Sequence, residues 1–205
     1  MITVIDYGIG NIGSIINMIK KAGGNAHYTS DLSEIDKAEK LILAGVGAFD
    51  TGIKNLKINN LDAILRKKVI DEGTPILGIC LGMQLMAKKS EEGKLNGLNW
   101  IDGITVRFNF QEDMKYRVPH MGWNTVNIQK NNSLFKNIDV NSRFYFVHSY
   151  HVICHNHEDI LTKTNYGIDF VSSFQRENIM ATQFHPEKSL RYGLKLMKNF
   201  VELKI

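Results

Sequence analysis

The chain has 205 residues, of which 43% are hydrophobic and 22% are charged, and these values are typical of a single globular domain, here residues 1–205. Its net charge of +4 comes from scattered basic doublets rather than a basic stripe with interleaved aromatic residues, which disfavours a nucleic-acid-binding protein. The sequence has neither a signal-peptide pattern nor an apolar run near the ~20 residues that cross a bilayer. We therefore expect a cytoplasmic protein that does not bind membranes.

The first half of the sequence alternates strand and helix patterns. Short apolar runs rich in β-branched residues predict strands, and amphipathic runs predict helices. The predicted strands are 2–7, 26–30, 40–44 and 75–79, and the predicted helices are 12–22, 61–72 and 83–89. Strands that alternate with helices of about ten residues form parallel βαβ units.

The second half is richer in strand patterns, which are joined by turns containing Asn, Asp and Gly. The predicted strands are 104–108, 125–128, 144–154, 170–174 and 179–184, and a closing helix is predicted over 192–203. These strands predict antiparallel additions to the parallel core. The expected fold is therefore a three-layer α/β domain with a mixed sheet.

One predicted strand runs into Gly78-Ile79-Cys80-Leu81-Gly82, and a predicted helix follows. This is the strand–turn–helix context of a nucleophile elbow, with cysteine in the position that serine occupies in many hydrolases. Such a turn raises the sulfur at the carboxyl edge of the sheet and places it at a helix N-terminus, which favours the thiolate. We interpret Cys80 as a nucleophile rather than a small core residue, and the Leu81 N–H as an oxyanion donor.

The tripeptide His185-Pro186-Glu187 follows another predicted strand. A cysteine nucleophile needs a base, and the base needs an acceptor that fixes its tautomer. Side chains two apart on an extended segment project to one side, so we expect Glu187 to reach the imidazole of His185. A histidine at the end of a strand is often a hydrogen-bonded bystander, and the tripeptide gains its significance from the cysteine elbow.

The loop Gly45-Val46-Gly47 follows the predicted strand 40–44. A glycine-flanked loop beside a nucleophile can present backbone N–H groups to an oxyanion, and losing one such donor costs about 2.7–4 kcal/mol of transition-state stabilisation. An ordinary strand-to-helix turn would have the same pattern, so the loop alone does not establish a site.

Two further patterns suggest ligands but have simpler explanations. Residues 8–13 match the dinucleotide pattern G-x-G-x-x-G, with Asp31 near the spacing of a ribose ligand. The pattern is short and a cysteine elbow has no use for a nicotinamide, so no cofactor is predicted, and partner binding or close helix–strand packing explains the loop. Residues 148–157 contain four histidines whose spacing matches no zinc pattern, so no metal site is predicted.

Together the motifs resemble the class I, triad-type glutamine amidotransferases, which have a flavodoxin-like fold. The cysteine elbow and the His-Pro-Glu stretch are common to several such enzymes. More specific stretches resemble the glutaminase subunits of imidazole glycerol phosphate synthase, in order along nearly the whole chain: Asp-Tyr-Gly-Ile-Gly-Asn at 6–11, Gly-Val-Gly-Ala-Phe at 45–49, Pro-His-Met-Gly-Trp-Asn at 119–124, Tyr-Phe-Val-His-Ser-Tyr at 145–150 and His-Pro-Glu-Lys-Ser at 185–189.

The resemblance implies a role for each matching residue. Cys80 would attack the side-chain amide of glutamine, His185 would protonate the departing ammonia, and Glu187 would orient His185. The oxyanion donors would be the N–H groups of Val46 and Leu81. The positions that match the glutamine-holding residues of the family are Gly47, Gln84, His148, Ser149 and Tyr150.

The resemblance also implies a heterodimer with a cyclase subunit, which is a (β/α)8 barrel that uses the ammonia in histidine biosynthesis. The products of that subunit would be imidazole glycerol phosphate and an aminoimidazole carboxamide ribonucleotide. Asn11, Trp123 and Lys188 match family positions near the interface. Tryptophan is frequent at interface hot spots, and core packing is the simpler alternative for Trp123.

The chain departs from the family at Ala44, where the family usually has proline, so the following loop lacks one φ restraint. Two other enzymatic interpretations stay open: an amidotransferase subunit that feeds a different synthase, for example in sugar modification, and a stand-alone cysteine hydrolase. A binding subunit with an inactive elbow is disfavoured by the complete set of Cys80, His185 and Glu187.

Overall fold

The computed structural model describes residues 1–111, 115–139 and 141–204. Within these residues the strands are β1 (Ile2–Ile5), β2 (Ala26–Thr29), β3 (Lys40–Gly45), β4 (Ile76–Cys80), β5 (Lys89–Ser90), β6 (Gly103–Arg107), β7 (His120–Thr125), β8 (Asn127–Ile128), β9 (Arg143–His148), β10 (Tyr150–Cys154), β11 (Ile160–Tyr166), β12 (Ile168–Arg176) and β13 (Ile179–Thr182). The α-helices are α1 (Ile12–Lys21), α2 (Leu32–Asp36), α3 (Phe49–Ile58), α4 (Leu61–Arg66), α5 (Leu81–Leu85) and α6 (Leu190–Val201). No helix in the described ranges is long and apolar enough to cross a membrane.

A large mixed sheet organises the molecule. Its parallel half has the strand order β2-β1-β3-β4-β13, and antiparallel pairing continues it through β12, β10 and β6. β5 lies parallel to β6 at the far edge, and β11 pairs with β12 and β8. β7 and β9 form a separate two-stranded antiparallel sheet. The predicted parallel core with antiparallel additions is confirmed.

Alternate side chains of the parallel strands face two different cores. On β3, Leu41 and Leu43 pack with residues of α2, α3 and α4, whereas Ile42 and Ala44 belong to the core formed with α1 and α6. Because both faces of the strand are buried, its sequence is continuously apolar rather than alternating. Helices on both faces of the sheet give the predicted three layers.

Three predicted elements differ from their expected bounds or form. The helix predicted over 83–89 ends at Leu85, because Lys89 already begins β5. The strand predicted over 144–154 is two strands in different sheets, which separate at Ser149. The helix predicted over 61–72 is present as α4 and a π-helical turn over Lys67–Asp71.

The sequence analysis did not predict β11. Buried Thr162 and Thr164 alternate along this strand where apolar residues would be expected. Thr162 shares hydroxyl hydrogen bonds with Ser172 and Ser173 of β12, and the Thr164 hydroxyl donates to the Thr125 carbonyl. These bonds satisfy the buried hydroxyls, so a polar sequence forms an interior strand.

Candidate active site

Cys80 is the last residue of β4 and lies directly before α5. Its backbone has φ 53° and ψ −108°, a combination that few non-glycine residues adopt. A Cβ atom at Gly82 would lie 1.8 Å from the carbonyl oxygen of Leu43, so the close approach of α5 to β3 requires glycine there. The chain therefore forms the sharp strand–turn–helix connection that the sequence predicts around Cys80.

His185 follows β13, and its Nδ1 lies 2.7 Å from a carboxylate oxygen of Glu187. The two side chains are only 2% and 3% exposed. The extended geometry expected for this segment is wrong, because Pro186–Lys188 form a 3-10 turn. The Ser189 hydroxyl donates to the His185 carbonyl at 2.6 Å and supports this turn. The turn, rather than strand alternation, brings Glu187 to the imidazole.

The surroundings of His185 favour its protonated form. Burial alone would lower the pKa of this imidazole, but interactions with Cys80 and then with Glu187 outweigh burial and raise the pKa to about 10. The Nε2 atom is buried and, within the described residues, has no hydrogen-bond partner. The protonated imidazolium is thus the favoured form of His185 near neutral pH.

Cys80 forms part of the wall of a cavity of about 370 Å³. Eight of the predicted site residues line this cavity: Val46, Gly47, Cys80, Leu81, Gln84, His148, Ser149 and Tyr150. Three described residues to which the sequence analysis gave no role also line it: Glu92, Pro119 and Val147. The cavity joins the ends of β3 and β4 to the junction between β9 and β10.

The two predicted oxyanion donors follow paired residues on neighbouring parallel strands. Gly45 of β3 pairs with Cys80 of β4, so Val46 and Leu81 are the next residues at the same carboxyl edge. Gly47 has a φ of 115°, which glycine adopts readily and other residues rarely do. The loop thus turns at the cavity wall immediately after Val46.

Gln183 and Glu92 are polar residues of the site that were not predicted. The side-chain nitrogen of Gln183, which is fully buried, lies 3.8 Å from the Cys80 sulfur. The available sequence signal was a glutamine within the predicted strand 179–184. The Glu92 carboxylate accepts a hydrogen bond from the Phe49 N–H at 2.9 Å and caps α3, because Ala48 has no capping side chain. No local pattern could have indicated that long-range contact.

The predicted interface residues lie in two places. The Trp123 side chain on β7 is 44% exposed, so core packing is not its role. Its ring lies 6.0 Å from the Tyr145 ring, and the Lys188 ammonium lies 5.8 Å from the same ring. Asn11 lies on a different element, where its side chain accepts from the Ser14 N–H and caps α1.

Close packing explains the glycine-rich loop at residues 8–13. A Cβ atom at Gly10 would lie 2.9 Å from the Ala44 carbonyl oxygen, so the loop needs glycine to approach β3. Asp31 accepts hydrogen bonds from the Ser33 and Glu34 N–H groups and caps α2. The described residues contain no group of three or more His, Cys, Asp or Glu side chains that could hold a metal ion.

Comparison with known proteins identifies the family. Residues 3–203 match the family described as glutamine amidotransferase class-I. The chain is 54% identical to the imidazole glycerol phosphate synthase subunit HisH 2 of Methanococcus maripaludis, over 98% of this chain and 99% of that protein. It is 48% identical to the subunit of the same name from Pseudomonas aeruginosa, over 99% of this chain and all of that protein.

A solved structure has the same fold. It is a Thermoplasma acidophilum protein described as a GMP synthase subunit, with a TM-score of 0.73 over 98% of this chain and 91% of that one. At 22% identity this likeness concerns the fold alone. The sequence relatives are more informative, because they combine high identity with nearly complete coverage of both chains. The chain therefore belongs to the class-I glutamine amidotransferase family and, within it, to the HisH subunits of imidazole glycerol phosphate synthase.

Proposed function

We propose that residues 1–205 act as one glutaminase domain that hydrolyses glutamine to glutamate and passes the ammonia to a cyclase subunit with a (β/α)8 barrel. That subunit would use the ammonia to make imidazole glycerol phosphate and an aminoimidazole carboxamide ribonucleotide in histidine biosynthesis. The observation that carries the proposal is the position of Cys80 in the cavity wall, with the buried pair of His185 and Glu187 beside it.

In the first half of the reaction, the Cys80 thiolate attacks the amide carbon of the glutamine side chain. A carbon–sulfur bond forms, and the carbonyl electron pair moves to the oxygen, which the N–H groups of Val46 and Leu81 stabilise. Collapse of this intermediate breaks the carbon–nitrogen bond. His185 gives the leaving nitrogen a proton, so that ammonia departs, while Glu187 holds the opposite ring nitrogen.

In the second half, neutral His185 removes a proton from water, and the resulting hydroxide attacks the thioester carbon. The carbon–sulfur bond then breaks, with its electron pair returning to the Cys80 sulfur. The product leaves as glutamate after its γ-carboxylic acid loses a proton to solvent, and the imidazolium and thiolate are restored. The same three side chains therefore serve both halves of the reaction.

The cavity wall supplies groups that suit a free amino acid. Among the described residues that line it, Glu92 has the one carboxylate, and we assign it to the α-ammonium group of glutamine. Gly47, Gln84, His148, Ser149 and Tyr150 would hold the rest of the substrate. Because the lining includes backbone groups, their N–H donors can also hydrogen-bond the α-carboxylate.

Glutamate release with and without the cyclase subunit and its ligand tests this function. We expect slow release by the chain alone and a large rise with the partner, because uncoupled hydrolysis would waste glutamine. No glutamate in either condition would refute the glutaminase assignment. Equal, high rates would favour a stand-alone hydrolase, and capture of a different synthase from cells would change the pathway.

Replacing Trp123 with alanine is expected to weaken binding of the cyclase subunit about 30-fold, the effect of losing an interface hot spot worth about 2 kcal/mol. Met121 and Trp123 form an exposed apolar pair on one face of β7, with Met121 61% exposed. Titration calorimetry measures the affinity. Tyr28→Ala, at a 60% exposed residue of β2, is the control and should bind normally. Unchanged affinity of the Trp123 variant would exclude this face as the interface.

A further inference from the structure

Gln183 has no part in the mechanism described so far, yet it contacts the nucleophile. It is fully buried, and its side-chain nitrogen lies 3.8 Å from the Cys80 sulfur. A buried amide is stable only when its polar atoms are hydrogen-bonded. The hydrogen bonds of the second polar atom of the Gln183 amide therefore determine which of its two atoms faces the sulfur.

The neighbours of Gln183 fix the orientation of its amide. The Tyr150 carbonyl can only accept a hydrogen bond, so the Gln84 side chain must present its nitrogen to it, at 3.0 Å. The second N–H of that nitrogen is directed at Gln183, 3.1 Å away, which must present its oxygen. The nitrogen of Gln183 is consequently the atom that faces Cys80.

The Tyr150 carbonyl also contacts His148, which in turn contacts His120. His148 Nδ1 donates to it at 2.7 Å, so His148 Nε2 carries no proton and accepts from Nδ1 of His120 at 3.0 Å. Burial lowers the pKa of both imidazoles, to about 4 for His120, so both are neutral near pH 7. These hydrogen bonds fix the orientation of each side chain in the network, so the Gln183 amide cannot flip.

We propose that Gln183 is a positioning residue that donates a hydrogen bond to the Cys80 sulfur and stabilises the thiolate at the cavity wall. The inference rests on the proposed function, in which Cys80 is the nucleophile. A hydrogen bond to a charged acceptor is stronger than one to a neutral acceptor, so the thiolate gains more from this donor than the thiol does. Gln183 acts through Cys80, since it does not line the cavity that would hold glutamine.

Alkylation of Cys80 by iodoacetamide across a range of pH provides the test, together with glutamate release by the same protein in complex with the cyclase subunit. The second cysteine, Cys154, is buried, and burial raises its pKa to about 12, so alkylation reports Cys80. Two titratable groups interact with Cys80, namely His185 and Tyr7, and both are unchanged in the variants.

Gln183→Met keeps the length of the side chain and removes the donor. We expect the midpoint of the alkylation profile to rise by about one pH unit and kcat to fall about tenfold with little change in KM. Gln175→Met makes the same substitution at a half-buried residue of β12 and should behave like the wild type. If Gln183→Met does not fold, Gln183→Asn, which is too short to reach the sulfur, should show the same two changes.

A folded Gln183 variant with wild-type alkylation and wild-type kcat would overturn the proposal. Equal losses in the Gln175 variant would also overturn it, because the effect would then be structural. The proposed function is tested by a separate measurement, because it is refuted if the wild-type complex releases no glutamate. The alkylation profiles would still decide the role of Gln183 in that case.

Discussion

Cys80→Ala is expected to reduce glutamate release by the complex at least about 10⁴-fold, the loss typical of removing a catalytic nucleophile. The variant keeps the Cβ atom and loses only the sulfur, so we expect its fold and its affinity for the cyclase subunit to be retained. Glutamate release, thermal unfolding and titration with the cyclase subunit measure the three properties.

Cys154→Ala is the matched control for that experiment. Cys154 is 3% exposed and packs in the core with Val152 and Phe174. We expect this variant to release glutamate at the wild-type rate, because its thiol lies outside the cavity lining. Turnover by the Cys80 variant, or inactivity of a folded Cys154 variant, would contradict the assignment of the nucleophile.

Glu187→Gln is expected to lower kcat by up to about 10⁴-fold, the loss seen when the carboxylate that orients a catalytic histidine is replaced by an amide. Burial lowers the pKa of His185, whereas Cys80 and Glu187 raise it to about 10. Without the carboxylate this pKa falls, so the alkaline limb of the pH–rate profile should move to lower pH. Glu202→Gln, at an exposed pair with Lys198, is the control.

The same substitution has a pH-dependent effect on stability. The pKa of His185 rises from its ordinary 6.5 to about 10 on folding, so its contribution is fully present below pH 6.5 and is lost as pH rises through about 10. The decrease in the free energy of unfolding relative to the wild type should therefore be largest at and below pH 6.5 and small above pH 10. Urea unfolding across this range measures the difference. A loss independent of pH would show that Glu187 acts by packing alone.

The parallel half of the fold could be predicted because β3 and β4 are buried on both faces and read as continuous apolar runs. The second half was less predictable. β9 and β10 look like one strand in the sequence, and only the three-dimensional path of the chain separates them at Ser149. Local patterns contain no information about which sheet a strand joins.

The residues of the candidate site also differ in how far local sequence patterns could predict them. Cys80 and His185 could be proposed from the sequence because their chemistry and their neighbouring residues form local motifs. Glu92 and Gln183 were missed because each acts through a residue far away in the sequence, Phe49 and Cys80 respectively. Their side chains gain a role only when the sheet brings those segments together.

The backbone conformation of Cys80, the proposed nucleophile, lowers the thermodynamic stability of the fold. A non-glycine residue with a φ of 53° and a ψ of −108° destabilises the folded state by about 1–3 kcal/mol, a notable part of the 5–15 kcal/mol by which domains are usually stable. Glycine would adopt this conformation without the steric penalty, but it would remove the sulfur. A cysteine in this conformation therefore fits the proposed role of Cys80 as the nucleophile, because stability alone would favour glycine at this position.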